Sequence, residues 1–139
     1  LRDAHALQKI TIVACNIGSG NIDTFVNFFK YDSTMGQYRG TLEYINNHVN
    51  VENQSILILA ETDAKKLPWK ELSIDWVIDC SGHYTDRDQA EQHRESGAKK
   101  VLITAPAKNE DCTIIVGIND SSYKKEHTIV SLGSCTTNA

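Results

Sequence analysis

The sequence predicts an α/β protein whose sheet is mostly parallel with a small antiparallel insertion, and three observations carry that reading. Short apolar runs recur along the whole chain, and most are continuously apolar, as strands covered on both faces of a parallel sheet must be. Helical segments alternate with these runs. A central stretch rich in Thr, Tyr, Val and Ile around an Asn pair reads instead as a hairpin.

The elements follow in order. "LRDAHALQK" reads as the end of a helix leading into a strand, "KITIVAC" (9–15). In "NIDTFVNFFKYD" (21–32), Ile22, Phe25, Val26 and Phe29 recur at i, i+3, i+4 and i+7, which makes one apolar helical face. The insertion occupies 38–62 and includes "SILILAE" (55–61). "WVIDCSG" (76–82) is a strand, and the segment after it has Thr85 or Asp86 as N-cap and Gly97 where the helix must stop. "KKVLITAP" (99–106) completes a βαβ unit, and "TIIVGIN" (113–119) and "HTIVSLG" (127–133) read as two more strands. Pro68 and Pro106 each fall at the edge of an element, and no repeat or linker divides the chain, so a single domain is expected.

Composition narrows the function. The 139 residues are 40% hydrophobic and 23% charged, with a net charge of −4, and the Lys pairs are scattered rather than gathered on one face. This argues against nucleic acid as the main partner. The apolar runs are too short to span a bilayer and no charged leader precedes an apolar stretch, so a cytoplasmic protein is expected. The four cysteines form no CxxC pair and no cluster with histidine, which points to free thiols and to no metal site.

Ligands of open α/β sheets gather at the carboxyl ends of strands, here the tails "CNIGSG", "DCSGHYT", "TAPAKNED" and "SLGSCTTNA". Cys135 follows a strand and precedes "TTNA". At the first turn of a helix it would be a thiolate nucleophile beside N–H groups able to hold an oxyanion, with hydroxyls of Ser134, Thr136 and Thr137 suited to an anionic group. Spacing alone equally allows a buried structural cysteine with a Ser/Thr-rich cap, and favours it. "CNIGSGN" contains only G-x-G, which fits a flexible turn better than a phosphate cradle. Five dispersed histidines read as surface or core residues. Tyr84 reads as packing or as a surface for a planar ring.

Taken together, "KYDSTMGQYRG", "LPWKELSIDWVIDCSG", "AEQHRESGAKKVLITAPAKNED", "TIIVGIN" and "SCTTNA" resemble the phosphorylating glyceraldehyde-3-phosphate dehydrogenases over essentially the whole chain. The resemblance implies a Rossmann-like, doubly wound fold for NAD or NADP, and 1–139 as a partial dinucleotide-binding domain that ends at the catalytic-cysteine helix. It implies that the first βα unit with its G-x-G-x-x-G loop, and the catalytic domain with its general-base histidine, lie outside this chain. Cys135 would be the nucleophile, Ser134 and Thr136 would neighbour the phosphate positions, and Asn16, Ile17, Thr62, Ser81, Gly82, Tyr84 and Thr104 would be cofactor-binding.

Substrates would be glyceraldehyde 3-phosphate and inorganic phosphate, the reaction one of glycolysis or gluconeogenesis, and the whole protein a homotetramer. Ile17 replaces an acidic residue that disfavours a 2′-phosphate, so NADP use is open. Thr62 replaces a common Arg near the adenine, and Ala139 a second cysteine. The alternatives are an erythrose-4-phosphate dehydrogenase, or a non-catalytic nucleotide-binding or interaction fragment. The isolated piece is expected to be inactive.

Overall fold

The computed structural model describes residues 9–52, 54–134 and 136. Its contacts group the chain into two compact units, Leu1–Thr62 and Asp63–Ala139. The α/β reading with a mostly parallel arrangement and a small antiparallel insertion holds, whereas the suggested helix end before Lys9 lies outside the described residues.

Among the described residues the first unit is a mixed sheet with one α-helix. Strand β1 (Ala14–Asn16) leads to α1 (Ile22–Lys30), then to a short ribbon of β2 (Tyr31–Asp32) and β3 (Gly36–Gln37). A meander of β4 (Leu42–Ile45), β5 (His48–Val51) and β6 (Gln54–Leu59) follows, and the sheet order is β1-β6-β5-β4. Among the described residues of this unit β1 and β6 pair in parallel, and the other pairs are antiparallel. Asn46 and Asn47 take φ of 52° and 61°, the left-handed pair that a two-residue hairpin requires and that Asn tolerates. The apolar face foreseen for α1 is present: Ile22, Phe25, Val26 and Phe29 pack on Val49, Val51, Ile56 and Ile58.

Two expectations about this unit need correction. The helix read over 21–32 ends at Lys30, because the Asp32 carboxylate accepts the N–H groups of Thr34 and Met35 at 2.8 and 2.7 Å and turns the chain into the ribbon. Strand β1 is shorter than 9–15 and reaches Asn16. Among the described residues it pairs with β6 alone, at one end of the sheet order.

The second unit is a wholly parallel sheet in the order β7-β8-β10-β9, formed by β7 (Trp76–Asp79), β8 (Lys100–Ile103), β9 (Cys112–Thr113) and β10 (Ile129–Ser131). Helix α2 (Arg87–Glu95) joins β7 to β8. Its N-cap is Asp86, which accepts the Asp88 N–H at 3.1 Å, and Ala90 packs with Val101, Ile103 and Ile129 into the core. The opposite face of β7 is not covered within this unit: Trp76 and Ile78 are 41% and 57% exposed. Burial on both faces, expected for most of these runs, therefore fails there.

The strand expected over 113–119 also stops early. After Thr113 the chain enters a turn at Gly117 (φ 83°), where the Asn119 side chain accepts from Ile115 N–H at 2.6 Å and donates to Thr113 O at 3.0 Å. Val116 and Ile118 are left 74% and 78% exposed.

Asp111 ties three segments together. Its carboxylate accepts the N–H groups of Thr128 (2.7 Å) and Ile129 (3.0 Å) and pairs with the Arg87 guanidinium. Partial burial works to raise its pKa, but these N–H groups, the Arg87 charge and the Thr128 hydroxyl outweigh it and hold the carboxyl at about 2. A folded-state pKa below the ordinary 3.8 stabilises the fold at every pH above 3.8, and the contribution disappears as pH falls from 3.8 towards 2. Asp111→Asn is therefore expected to cost about 1 kcal/mol near neutrality, solvent screening included, and about half of that at pH 3. Paired urea titrations at the two pH values measure this, and a pH-independent difference would contradict it.

Gly97 ends α2 at φ 114°, and a Cβ there would collide with the Lys70 backbone, which donates its own N–H to Ser96 O at 3.0 Å. Gly97→Ala combines a forbidden conformation with a backbone clash and is expected to cost about 2–4 kcal/mol. A lowered urea midpoint with unchanged slope is the expected signature.

Candidate functional site

Parallel pairing brings carboxyl ends to one edge of a sheet. In the second unit Asp79 and Ser131 both stand opposite Ile103, so the segments that follow, 80–84, 104–108 and 132–134, leave the sheet on the same side. Ser81, Gly82, Tyr84, Thr104 and Ser134 are thereby brought to one edge, with the Thr136 hydroxyl beside that of Ser134. Asn16, Ile17 and Thr62 belong to the first unit, at the carboxyl ends of the parallel pair β1 and β6. Cys135 and Thr137 lie outside the described residues.

In the first unit Asn16 is a clamp. Its Nδ2 donates to Glu61 O at 2.8 Å and its Oδ1 accepts Glu61 N–H at 3.0 Å and Gly18 N–H at 3.4 Å. Ile17 is half-buried against the apolar cluster, and Thr62 is exposed. The Ile17 side chain is thus spent on packing.

In the second unit the turn after β7 rests on a buried polar chain. The Asp79 Oδ1 accepts both the N–H and the hydroxyl of Ser81 at 2.8 Å, and Oδ2 faces His93 Nε2 at 3.2 Å. Trp69 Nε1 donates to His93 Nδ1 at 3.1 Å. Trp69, His93 and Asp79 are 5%, 5% and 7% exposed. Burial pushes the Asp79 pKa up, but the bonds from His93 and Ser81 outweigh it and hold the carboxyl below its ordinary value.

Beyond this chain, Gly82 takes φ 73° with open space where a Cβ would stand, so backbone and ligand can approach closely there. Tyr84 is half-buried, its ring 4.8 Å from the His93 ring centroid and its hydroxyl accepting Ala64 N–H at 3.3 Å, which is the packing alternative. Thr104 braces the neighbouring strand end, with N–H and hydroxyl both donating to Asp79 O at 3.0 and 3.1 Å.

The last tail hangs on Ser131, fully buried, whose hydroxyl donates to Ala105 O at 2.8 Å and accepts Gly133 N–H at 3.0 Å. Ser134 and Thr136 hydroxyls lie 3.1 Å apart, and Thr136 N–H donates to Ser134 Oγ at 3.3 Å. Ser131→Ala would take the hydroxyl from the half-buried Ala105 carbonyl and the acceptor from Gly133 N–H, and is expected to cost about 1 kcal/mol. It should also accelerate hydrogen exchange at the Gly133 amide, and an unchanged rate there would contradict its role in holding the tail.

Sequence reasoning missed Trp69, Asp79, His93 and Ser131. An available signal was the polar residue closing each apolar run, Asp79 in "WVID" and Ser131 in "TIVS", at a position where a core residue is otherwise expected. Nothing marked His93 among the five histidines. Among the described residues no helix is long and apolar enough to cross a membrane, and no group of His, Cys, Asp and Glu could hold a metal ion.

The glycine-lined turn and the convergent polar tails suit a dinucleotide, and comparison with known proteins agrees. A family model described as glyceraldehyde 3-phosphate dehydrogenase, NAD binding domain, matches residues 1–87. The glyceraldehyde-3-phosphate dehydrogenase of Thermotoga maritima is 45% identical over 94% of this chain and 39% of its own length. The chloroplastic glyceraldehyde-3-phosphate dehydrogenase A of Chlamydomonas reinhardtii is 42% identical over 99% of this chain and 38% of its own, and glyceraldehyde-3-phosphate dehydrogenase 2 of Bacillus subtilis 40% over 99% and 40%. The chain thus spans about two fifths of the length of these relatives. On this likeness and its Rossmann-like architecture, the chain belongs to the NAD-binding-domain family of the glyceraldehyde 3-phosphate dehydrogenases.

Proposed function

We propose that this chain supplies the cofactor-binding part of a phosphorylating glyceraldehyde-3-phosphate dehydrogenase using NAD or NADP, acting in the cytoplasm as a homotetramer. The observation that carries the reading is the match of residues 1–87 to the NAD-binding domain of that family, joined to identities of 40–42% over 99% of the chain, the cysteine segment included. Residues 1–139 form a partial dinucleotide-binding domain, and the general base belongs to a further domain of the whole protein.

Asn16, Thr62, Ser81 and Gly82 would hold the cofactor, whose chemistry is to accept a hydride, and Thr104 would brace the turn through its bonds to the Asp79 carbonyl. Tyr84 would act from behind, through its packing on His93. The Cys135 thiolate adds to the aldehyde carbon of glyceraldehyde 3-phosphate and the oxygen takes up a proton to give a thiohemiacetal; loss of that hydroxyl proton to the general base and of hydride to the cofactor leaves a thioester. Inorganic phosphate then attacks the thioester carbon, the thiolate departs, and 1,3-bisphosphoglycerate is released. Ser134 and Thr136 offer hydroxyls beside the cysteine for the anionic groups that this sequence of steps brings in.

The test is cofactor reduction by the full-length protein with glyceraldehyde 3-phosphate, with and without inorganic phosphate. Turnover should depend on phosphate, and Cys135→Ala should lower it by more than about a thousandfold. With Ile17 in place of a carboxylate, kcat/KM for NADP should fall within about tenfold of that for NAD. Absence of phosphate-dependent reduction would sink the proposal, and faster turnover on erythrose 4-phosphate would reassign the substrate. The isolated 139 residues should show no turnover, because hydride transfer needs the complete site.

A further inference from the structure

The buried chain behind the Ser81–Gly82 turn has a fixed hydrogen-bond polarity. The Trp69 indole is a donor only, so His93 Nδ1, 3.1 Å away, must present its lone pair. The ring proton then sits on Nε2 and is donated to Asp79 Oδ2. The other carboxylate oxygen already accepts two Ser81 donors, the backbone N–H and the hydroxyl. Every oxygen of Asp79 thus faces a donor, in keeping with a carboxylate that stays ionised.

The consequence reaches the exposed end of the chain. The Ser81 hydroxyl proton is committed inward to Asp79, and one lone pair on Oγ accepts His83 N–H at 3.1 Å. What remains for a ligand is a lone pair. Ser81 is exposed, whereas the three side chains that set its polarity are buried.

We propose that His93 is a positioning residue: through Asp79 it locks Ser81 as an obligate hydrogen-bond acceptor, so that the turn takes a sugar hydroxyl of the nicotinamide dinucleotide in preference to a phosphate oxygen. The proposal rests on the reading above that this turn belongs to the cofactor site. A Ser81 free to rotate could donate to phosphate as readily as accept from ribose; a locked one cannot. Tyr84, packed on the His93 ring, keeps the ring from turning out of register.

Two substitutions separate the two ends of the imidazole. His93→Asn keeps an oxygen to accept from Trp69 but is too short to reach Asp79. His93→Gln carries an N–H group towards Asp79 and gives up the indole. Affinity for NAD is measured by calorimetry on the full-length protein, with thermal melting beside it. H93N and Ser81→Ala should each weaken NAD binding about tenfold, and H93Q less than about threefold, while both His93 variants melt at comparably lowered temperatures.

Equal weakening by H93N and H93Q would make His93 a merely structural residue and overturn the proposal. Should H93N not fold, S81A decides, and an unchanged NAD affinity overturns it. A wild-type protein that binds no NAD overturns it as well. If NAD binds but phosphate-dependent turnover is absent, the dehydrogenase reading fails and the variant affinities still judge the relay.

Discussion

The carboxylate of Asp79 sits buried at the end of β7, and a buried charge must be met by donors or it will not stay charged. Meeting that demand organises much of the second unit. One donor comes from α2 through His93, which sets how the helix lies along the strand it follows. Two come from Ser81, which folds the chain back immediately after the strand. The Asp79 backbone carbonyl takes the N–H and hydroxyl of Thr104, so the ends of β7 and β8 are held in step. The indole of Trp69 closes the chain from the segment before β7. Among the described residues no buried side-chain polar atom lacks a partner, which is the condition for such a network to add rigidity rather than strain.

The same local device ends three strands. Asn16, Asp79 and Ser131 are each the last residue of a parallel strand, and each accepts the N–H of the residue two places on, Gly18, Ser81 or Gly133. A short side-chain acceptor at that position substitutes for the ladder partner that the backbone loses as it leaves the sheet. The chemistry of the three differs with what else surrounds them. Asn16 must donate to one backbone group of Glu61 and accept from the other, which only a neutral amide can do. Asp79 meets donors alone, and so is acidic.

Much of this was legible in the residues. The Asp86 cap, the stop at Gly97, the Asn46–Asn47 hairpin and the apolar stripe of α1 follow from local rules that tertiary context did not override. The failures share a cause. In 113–119 an apolar run was read as a strand, yet Gly117 and the Asn119 side chain fold it into a turn with its aliphatics outward. Apolarity by itself reports neither that a residue is covered nor that a neighbouring strand does the covering. The exposed face of β7 at Trp76 and Ile78 makes the same point.

The site itself was half visible. Tails rich in Gly and hydroxyls could be located because parallel strands must discharge them at one edge, but which of their atoms remain available to a ligand depends on partners far away in sequence. Thr104 and Tyr84 look like contact residues in the sequence, while in the fold the Thr104 donors go to Asp79 and the Tyr84 ring goes to His93. Ser131, never singled out, holds the tail that carries Ser134 and Thr136. A site assembled this way has its polar groups ordered before any ligand arrives, so the entropy of arranging them is charged to folding and not to binding. That is why the residues that position the turn had to be buried, and why spacing along the chain could not reveal them.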